Sequence, residues 1–266
     1  MNNKITAGFA QFSPQFGDPD ATIGILGKLF SANDLPNILV LPELSNSGYN
    51  FDSAKEAFQF SESIRQSRYV EFLTEISRKK NVLIVTGFNE KDGEKIYNSA
   101  LLISPKGILG KYRKIHLFMN EKDYFTPGDL GFPVFQTEFG TLGMLVCFDY
   151  IFPESWRVLG LKGTSIVCHP SNLVTPYAQR VVPPQGIINR FFIVTCNRTG
   201  TERDLIFTGQ SFISDPEGNI LYMASPGETG LHYETLDIRL AENKMITPRN
   251  HVFDDRRPEH YSDLVC

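Results

Sequence analysis

The sequence predicts a single α/β domain with a mixed sheet thick enough to form two layers. Three observations carry that expectation. Short apolar runs of strand length alternate with helical patterns up to Ile96. After Ile96 the alternation gives way to antiparallel hairpins separated by Gly- and Pro-containing turns. No Gly/Ser/Pro-rich linker and no internal repeat divides the 266 residues, so the whole chain reads as one unit.

In order, residues 4–12 read as a strand and 18–30 as a helix. Asp18 is that helix's N-cap, Pro19 opens its first turn, and Ile23, Leu26 and Phe30 share one apolar face. Residues 37–41 are continuously apolar, as a strand covered on both faces must be. The stretch 63–80 is amphipathic, with Tyr69, Phe72, Leu73 and Ile76 inward and Arg65, Arg68, Arg78, Lys79 and Lys80 outward. Residues 82–87 form another buried strand. The run 96–103, the turn 104–107 and 108–112 make a hairpin, and 134–139 with 142–147 make a second around Gly140. A helix starts at Pro153 and runs to 161, followed by a strand at 165–168. Residues 187–191 end a helix that runs into a strand at 193–196. The segment 212–222 is a hairpin broken by Asp215-Pro-Glu-Gly218, and 231–238 is the last strand. A polar tail follows from about residue 240.

Composition narrows the function classes. Apolar residues make up 41% and charged residues 21%, which excludes disorder. The 26 basic and 30 acidic residues leave a net charge of -4 with no basic run longer than three residues, so neither nucleic acid nor an anionic membrane is an expected partner. The N-terminal residues lack the apolar core of a signal peptide, and no apolar stretch is long enough to span a bilayer. Cys147, Cys168, Cys196 and Cys266 form no CxxC pair and no regular spacing with the five histidines. Neither a metal site nor a disulfide framework is expected, and a cytoplasmic location with free buried thiols fits this cysteine usage.

Reactive residues stand at three strand ends. Glu43 follows Leu39-Val-Leu-Pro42, Lys114 ends Lys111-Tyr-Arg-Lys114, and Cys147 ends the 142–147 run. Taken singly, each has an ordinary reading as a loop carboxylate, a surface lysine or a core thiol. Taken together, they supply a covalent acyl-transfer plan. A carboxylate takes the thiol proton, the thiolate attacks a carbonyl carbon, and an ammonium stabilises the resulting oxyanion. The Phe148 backbone N–H is placed to donate a second bond to that oxygen. His169, at the end of the next strand, is expected to be a pocket wall rather than the base.

Four separated segments, in order, resemble the carbon–nitrogen hydrolase (nitrilase) superfamily. They are Leu41-Pro-Glu-Leu44, Tyr112-Arg-Lys-Ile-His-Leu117, Cys147-Phe-Asp-Tyr-Ile-Phe-Pro-Glu154 and Asn189-Arg-Phe-Phe-Ile-Val-Thr-Cys-Asn-Arg198. The likeness runs from about residue 4 to 261. It implies Glu43 as general base, Lys114 as oxyanion stabiliser and Cys147 as nucleophile. Glu121, in Phe118-Met-Asn-Glu121, matches the second glutamate that the family sets beside its lysine. It also implies an αββα sandwich and no cofactor. Two copies would join through the helix from Pro153 and the C-terminal tail, as a homodimer or a higher homo-oligomer.

The residues after the cysteine narrow the substrate. Cys-Phe-Asp stands where true nitrilases of the family read Cys-Trp-Glu, and Tyr150 and Ile151 occupy positions where carboxylate-binding members place an Arg. The string Cys147–Arg157, with Asn46-Ser-Gly-Tyr-Asn-Phe51 and His169-Pro-Ser-Asn-Leu173, resembles the branch of N-carbamoylputrescine amidases and some thermophilic aliphatic nitrilases. The implied substrate is a small aliphatic amide or N-carbamoyl amine, with a nitrile as the alternative and a non-catalytic binding protein on the same scaffold as the lesser one. Tyr49, Phe51, Tyr150 and Tyr177 form the expected aromatic wall, and His169 and Asn172 the polar lining.

Overall fold

A computed structural model describes residues 3–32 and 34–265. In chain order the elements are β1 (Lys4–Gln11), α1 (Pro19–Ser31), β2 (Ile38–Val40), α2 (Ala54–Gln59), α3 (Arg68–Lys80), β3 (Leu83–Asp92), β4 (Lys95–Ser104) and β5 (Gly107–Arg113). Then come α4 (Glu121–Tyr124), β6 (Val134–Thr137), β7 (Gly140–Met144), α5 (Pro153–Leu161), β8 (Ile166–Ser171), α6 (Ala178–Val181), α7 (Pro183–Asn189) and β9 (Phe192–Asn197). The chain closes with β10 (Thr201–Glu202), β11 (Leu205–Ile206), β12 (Phe212–Ser214), β13 (Ile220–Met223), β14 (Gly230–Asp237), α8 (Arg239–Glu242), β15 (Met245–Thr247) and β16 (Asn250–His251).

The strands assemble into two six-stranded mixed sheets, ordered β14-β1-β2-β3-β4-β5 and β13-β12-β9-β8-β7-β6. Side-chain alternation explains why both pack in layers. Ile38 and Val40 of β2 face the second sheet, whereas Leu39 and the following Leu41 face α1 and α3, where they meet Leu26, Phe30, Tyr69 and Leu73. On the far side Trp156 and Leu159 of α5 cover β8 and β9. The order is therefore helix, sheet, sheet, helix. Each large aliphatic side chain so enclosed contributes roughly 1.5–3 kcal/mol.

The stretch 63–80 is not one helix. Ser67 has extended backbone and its hydroxyl accepts the Val70 N–H at 3.2 Å, so it caps α3 and leaves Ile64–Gln66 as a separate 3-10 turn. Helix α7 ends at Asn189 because Arg190 takes a left-handed conformation, φ 54°. Strand β7 stops at Met144, three residues before Cys147. The two hairpins β10–β11 and β15–β16 were not foreseen, and their strands are too short to show a period. Part of the tail docks on the domain, with Phe253 lying 5.2 Å under the Arg157 guanidinium of α5. Cys147, Cys168 and Cys196 are free and buried, and Cys266 lies outside the described residues.

Candidate active site

Glu43 leaves β2 in a tight turn whose backbone passes directly over β3. A side chain at Gly87 would come within 2.3 Å of the Glu43 Cα, so only glycine admits this crossing. The turn is locked by the Gly87 N–H donating to the Pro42 carbonyl at 3.0 Å and the Ser45 N–H to the Gly87 carbonyl at 3.2 Å. Leu44 is held at φ 47°. The Glu43 carboxylate ends up fully buried. Its Oε1 accepts from Asn98 Nδ2 and from Lys114 Nζ, both at 2.7 Å, while Oε2 has no hydrogen-bond partner among the described residues.

Lys114 follows β5, and its backbone is fixed from both sides. Its N–H donates to the Asn98 carbonyl at 2.8 Å and its carbonyl accepts from the Gly128 N–H at 2.9 Å. Neighbouring Arg113 anchors the strand end to Glu90, Asp92 and Asp129 and stacks 3.6 Å over Tyr97. The ammonium donates to Glu43 Oε1 and, at 2.8 Å, to Glu121 Oε1. Glu121, at the start of α4, also accepts the Tyr49 hydroxyl at 2.8 Å and the Phe118 N–H at 3.2 Å. One ammonium thus sits between two buried carboxylates, and this cluster has one negative charge in excess.

Cys147 comes from the second sheet. It opens a 3-10 turn (Cys147–Ile151) at φ 43°, a left-handed conformation that a residue with a Cβ adopts only under constraint. Asp149 Oδ2 accepts the Val146 N–H at 2.9 Å and the Tyr112 hydroxyl at 2.8 Å, while Oδ1 accepts His116 Nδ1–H at 2.8 Å. Tyr112 is in β5, so Asp149 ties the elbow to the opposite sheet. Below it, His169 Nε2 lies 2.9 Å from the Cys147 carbonyl and Nδ1 lies 3.1 Å from Thr195 Oγ1. A carbonyl only accepts, so the proton is on Nε2 and Nδ1 accepts from Thr195. Burial holds this imidazole neutral by lowering its pKa to about 4.

Electrostatics separate the three groups. Burial raises the Cys147 thiol well above its ordinary range, and the Glu43 carboxylate adds to that, while Lys114 opposes it. The resting sulfur is therefore protonated. Burial by itself would discharge Lys114, but Glu121 and Glu43 outweigh it and hold the ammonium charged. Burial pushes Glu121 up to about 6, against the pull of Lys114.

A narrow cleft opens on Cys147, lined by Phe118, Phe148, Tyr150, Asn172, Leu173, Val174 and Thr175. Glu43, Lys114, Glu121 and Cys147 converge as the sequence predicts, and Phe148, Tyr150 and Asn172 reach the cleft. Asn172 Nδ2 donates to the Glu43 carbonyl at 3.0 Å and its backbone N–H donates toward the Cys147 sulfur. His169 is not a pocket wall, because both its ring nitrogens are engaged beneath the elbow. Tyr49 spends its hydroxyl on Glu121. Phe51 packs away from the cleft against Phe16 and Phe125, and Tyr177 is 56% exposed at the head of α6. Sequence reasoning missed Asn98 and Asp149. An amide inside the apolar run of β4 was the available signal for Asn98.

A model of the family described as carbon-nitrogen hydrolase matches residues 20–244. A protein named nitrilase from Pyrococcus abyssi is 42% identical, over 97% of this chain and 99% of its own. An N-carbamoylputrescine amidase from Arabidopsis thaliana is 30% identical, over 86% of this chain and 84% of its own. A carbon-nitrogen hydrolase from Helicobacter pylori G27 superposes with a TM-score of 0.83 at 29% identity, covering 99% of this chain and 98% of that one.

Proposed function

The chain belongs to the carbon–nitrogen hydrolase family and acts on non-peptide C–N bonds; from that premise we propose that it hydrolyses a small aliphatic amide or N-carbamoyl amine through a thioester on Cys147. One observation carries this reading: Glu43 Oε1 is taken by Lys114 and Asn98, and Oε2 is left free and buried. A carboxylate with one oxygen anchored and one open is what a proton carrier beside a protonated thiol needs.

Glu43 Oε2 takes the Cys147 proton as the sulfur bonds to the substrate carbonyl carbon. The oxyanion is held by the Lys114 ammonium and the Phe148 N–H, which lies in the first turn of the elbow, where backbone donors lack intrahelical acceptors. Glu43 passes its proton to the amide nitrogen, the C–N bond breaks and ammonia leaves. Water then gives a proton to Glu43 and its oxygen attacks the thioester carbon. The C–S bond breaks, the sulfur recovers the proton and the acid departs. Glu121 steadies the ammonium and Tyr150 and Asn172 shape the cleft. Among the described lining residues none carries a charge, which suits an uncharged aliphatic chain.

A nitrile is the second reading, favoured by the name of the 42% identical relative. Ammonia release from a panel of aliphatic amides, N-carbamoyl amines and dinitriles separates the two. Cys147→Ala is expected to abolish release from all of them while the protein stays folded by circular dichroism. Retained turnover overturns the mechanism.

We further place this enzyme in a reducing cytoplasm, in keeping with its free buried thiols. Among the described residues no helix is long and apolar enough to cross a membrane. The exposed Leu161 of α5, Ile188 of α7 and Leu264 line one apolar groove that fits a second copy of this chain. Light scattering is expected to give at least twice the monomer mass.

A further inference from the structure

Tyr49, whose hydroxyl reaches Glu121, has its backbone clamped from the opposite side. Glu202 Oε1 accepts two consecutive N–H groups, Tyr49 at 2.8 Å and Asn50 at 2.7 Å. Its Oε2 accepts Arg198 Nη1 at 2.6 Å. Arg198 is 1% exposed, lies 4.2 Å over the Phe207 ring and keeps an Nε with no partner. The Tyr49 ring meets Phe207 edge-on at 6.0 Å, so one aromatic side chain buttresses both. At the outer end Asn50 Nδ2 donates to Asp204 Oδ1 at 2.7 Å, and Arg203 pairs with Asp52 and Glu56. The β10–β11 hairpin is therefore fastened to residues 49–56 by hydrogen bonds and ion pairs along its length.

Such a buried pair is a poor source of net stability, because desolvating both charges offsets their attraction. Its distinctive effect here is geometric. Two adjacent amides are fixed on one carboxylate oxygen, and the side chain between them is aimed at Glu121. That glutamate shares its Oε1 between the Tyr49 hydroxyl and Lys114 Nζ.

We propose that Arg198 and Glu202 are positioning residues for the reaction: they hold Tyr49 so that its hydroxyl keeps Glu121 ionised and Lys114 fixed on the oxyanion side of Cys147. The inference rests on the catalytic reading above. Glu121 is faced by Lys114 from the end of β5, Glu43 from the turn after β2, Tyr49 from its loop, and Cys147 from the elbow. Of these, Lys114 and Tyr49 favour its charged form, and burial and Glu43 oppose it. Removing the Tyr49 bond makes Glu121 take up a proton at higher pH, which loosens one of the two tethers on Lys114.

The test is the pH–rate profile on a short aliphatic primary amide for the wild type, Tyr49→Phe, Glu202→Gln and the double variant. Each single variant is expected to move the acid limb upward by about half to one pH unit. Each also lowers kcat about tenfold while KM changes about twofold or less. The double variant is expected to match the singles, because both act through one hydrogen bond. Should Glu202→Gln fail to fold with Arg198 left unpaired, Arg198→Met combined with Glu202→Gln removes both charges and carries the same expectation. An unmoved limb alongside a lowered melting temperature, or effects that simply add, overturns the positioning role. Wild-type turnover that survives Cys147→Ala overturns instead the catalytic reading beneath it.

Discussion

Around the cleft the two sheets face each other and contribute by different means. From the first come Glu43, Lys114 and, through α4, Glu121, all buried and joined by hydrogen bonds of 2.7–2.8 Å. From the second comes Cys147, to which its own sheet contributes a left-handed backbone, a neutral imidazole under the carbonyl and Asp149 bridging the gap. One side stores charge in a dry place, and the other stores conformation. Charge and conformation fail differently when perturbed, and that difference can be measured.

The largest expected effect is on the charged side. Glu43→Gln keeps the shape but cannot carry the proton, so kcat is expected to fall by about 10²–10⁴. The melting temperature is expected not to drop, because the substitution removes the excess negative charge and Lys114 keeps Glu121. A fall in activity matched by a fall in stability would assign Glu43 to the scaffold instead.

On the other side the pattern reverses. His169→Phe leaves the Cys147 carbonyl and the Thr195 hydroxyl unpaired, at a cost of about 1–3 kcal/mol in stability. Activity is expected to fall with it by about tenfold to a hundredfold as the elbow relaxes. Denaturant melts and steady-state kinetics on one preparation check both.

Acid separates the two sides by sign. Glu121 in the folded protein holds its proton up to about 6, above the ordinary 4.5, so its contribution favours folding at low pH and is lost as pH rises through that window. His169 stays neutral down to about 4, below the ordinary 6.5, so its contribution is present above 6.5 and is lost as pH falls toward 4. Turnover is expected to decline below about pH 6 as Glu121 protonates. In melts between pH 6.5 and 4.5, His169→Phe is expected to flatten the acid loss of stability and Glu121→Gln to steepen it. The smallest effect belongs to Asp129→Asn. That carboxylate is 53% exposed and Arg113 keeps Glu90 and Asp92, so less than about 1 kcal/mol is expected by denaturant melt.

Much of this was legible in the sequence, for identifiable reasons. Apolar runs covered on both faces marked β2, β3 and β8, and the Pro153 start fixed α5 to the residue. Glu43, Lys114 and Cys147 were visible because reactive side chains at strand ends are unusual company for such runs. What stayed hidden depended on partners distant in sequence. His169 looks like a pocket residue until the Cys147 carbonyl is seen above it, 22 positions earlier. Tyr49 looks like an aromatic wall until Glu202, 153 positions later, claims its amide. Phe51 is one more aromatic until three phenylalanines enclose it. Periodicity reports which face is wet and says nothing about which hydrogen bond a buried polar group has found.

Strand β14 pairs along all eight residues with β1, from Lys4 opposite Asp237 to Gln11 opposite Gly230, and β1 in turn pairs with β2, whose turn carries Glu43. Two segments far apart on the ribbon are thus zipped together beside Glu43. On a ribosome the first strand must wait with one edge bare until more than two hundred further residues have been made. The enzyme is assembled late, and a chain released before residue 230 offers that edge to any strand that passes.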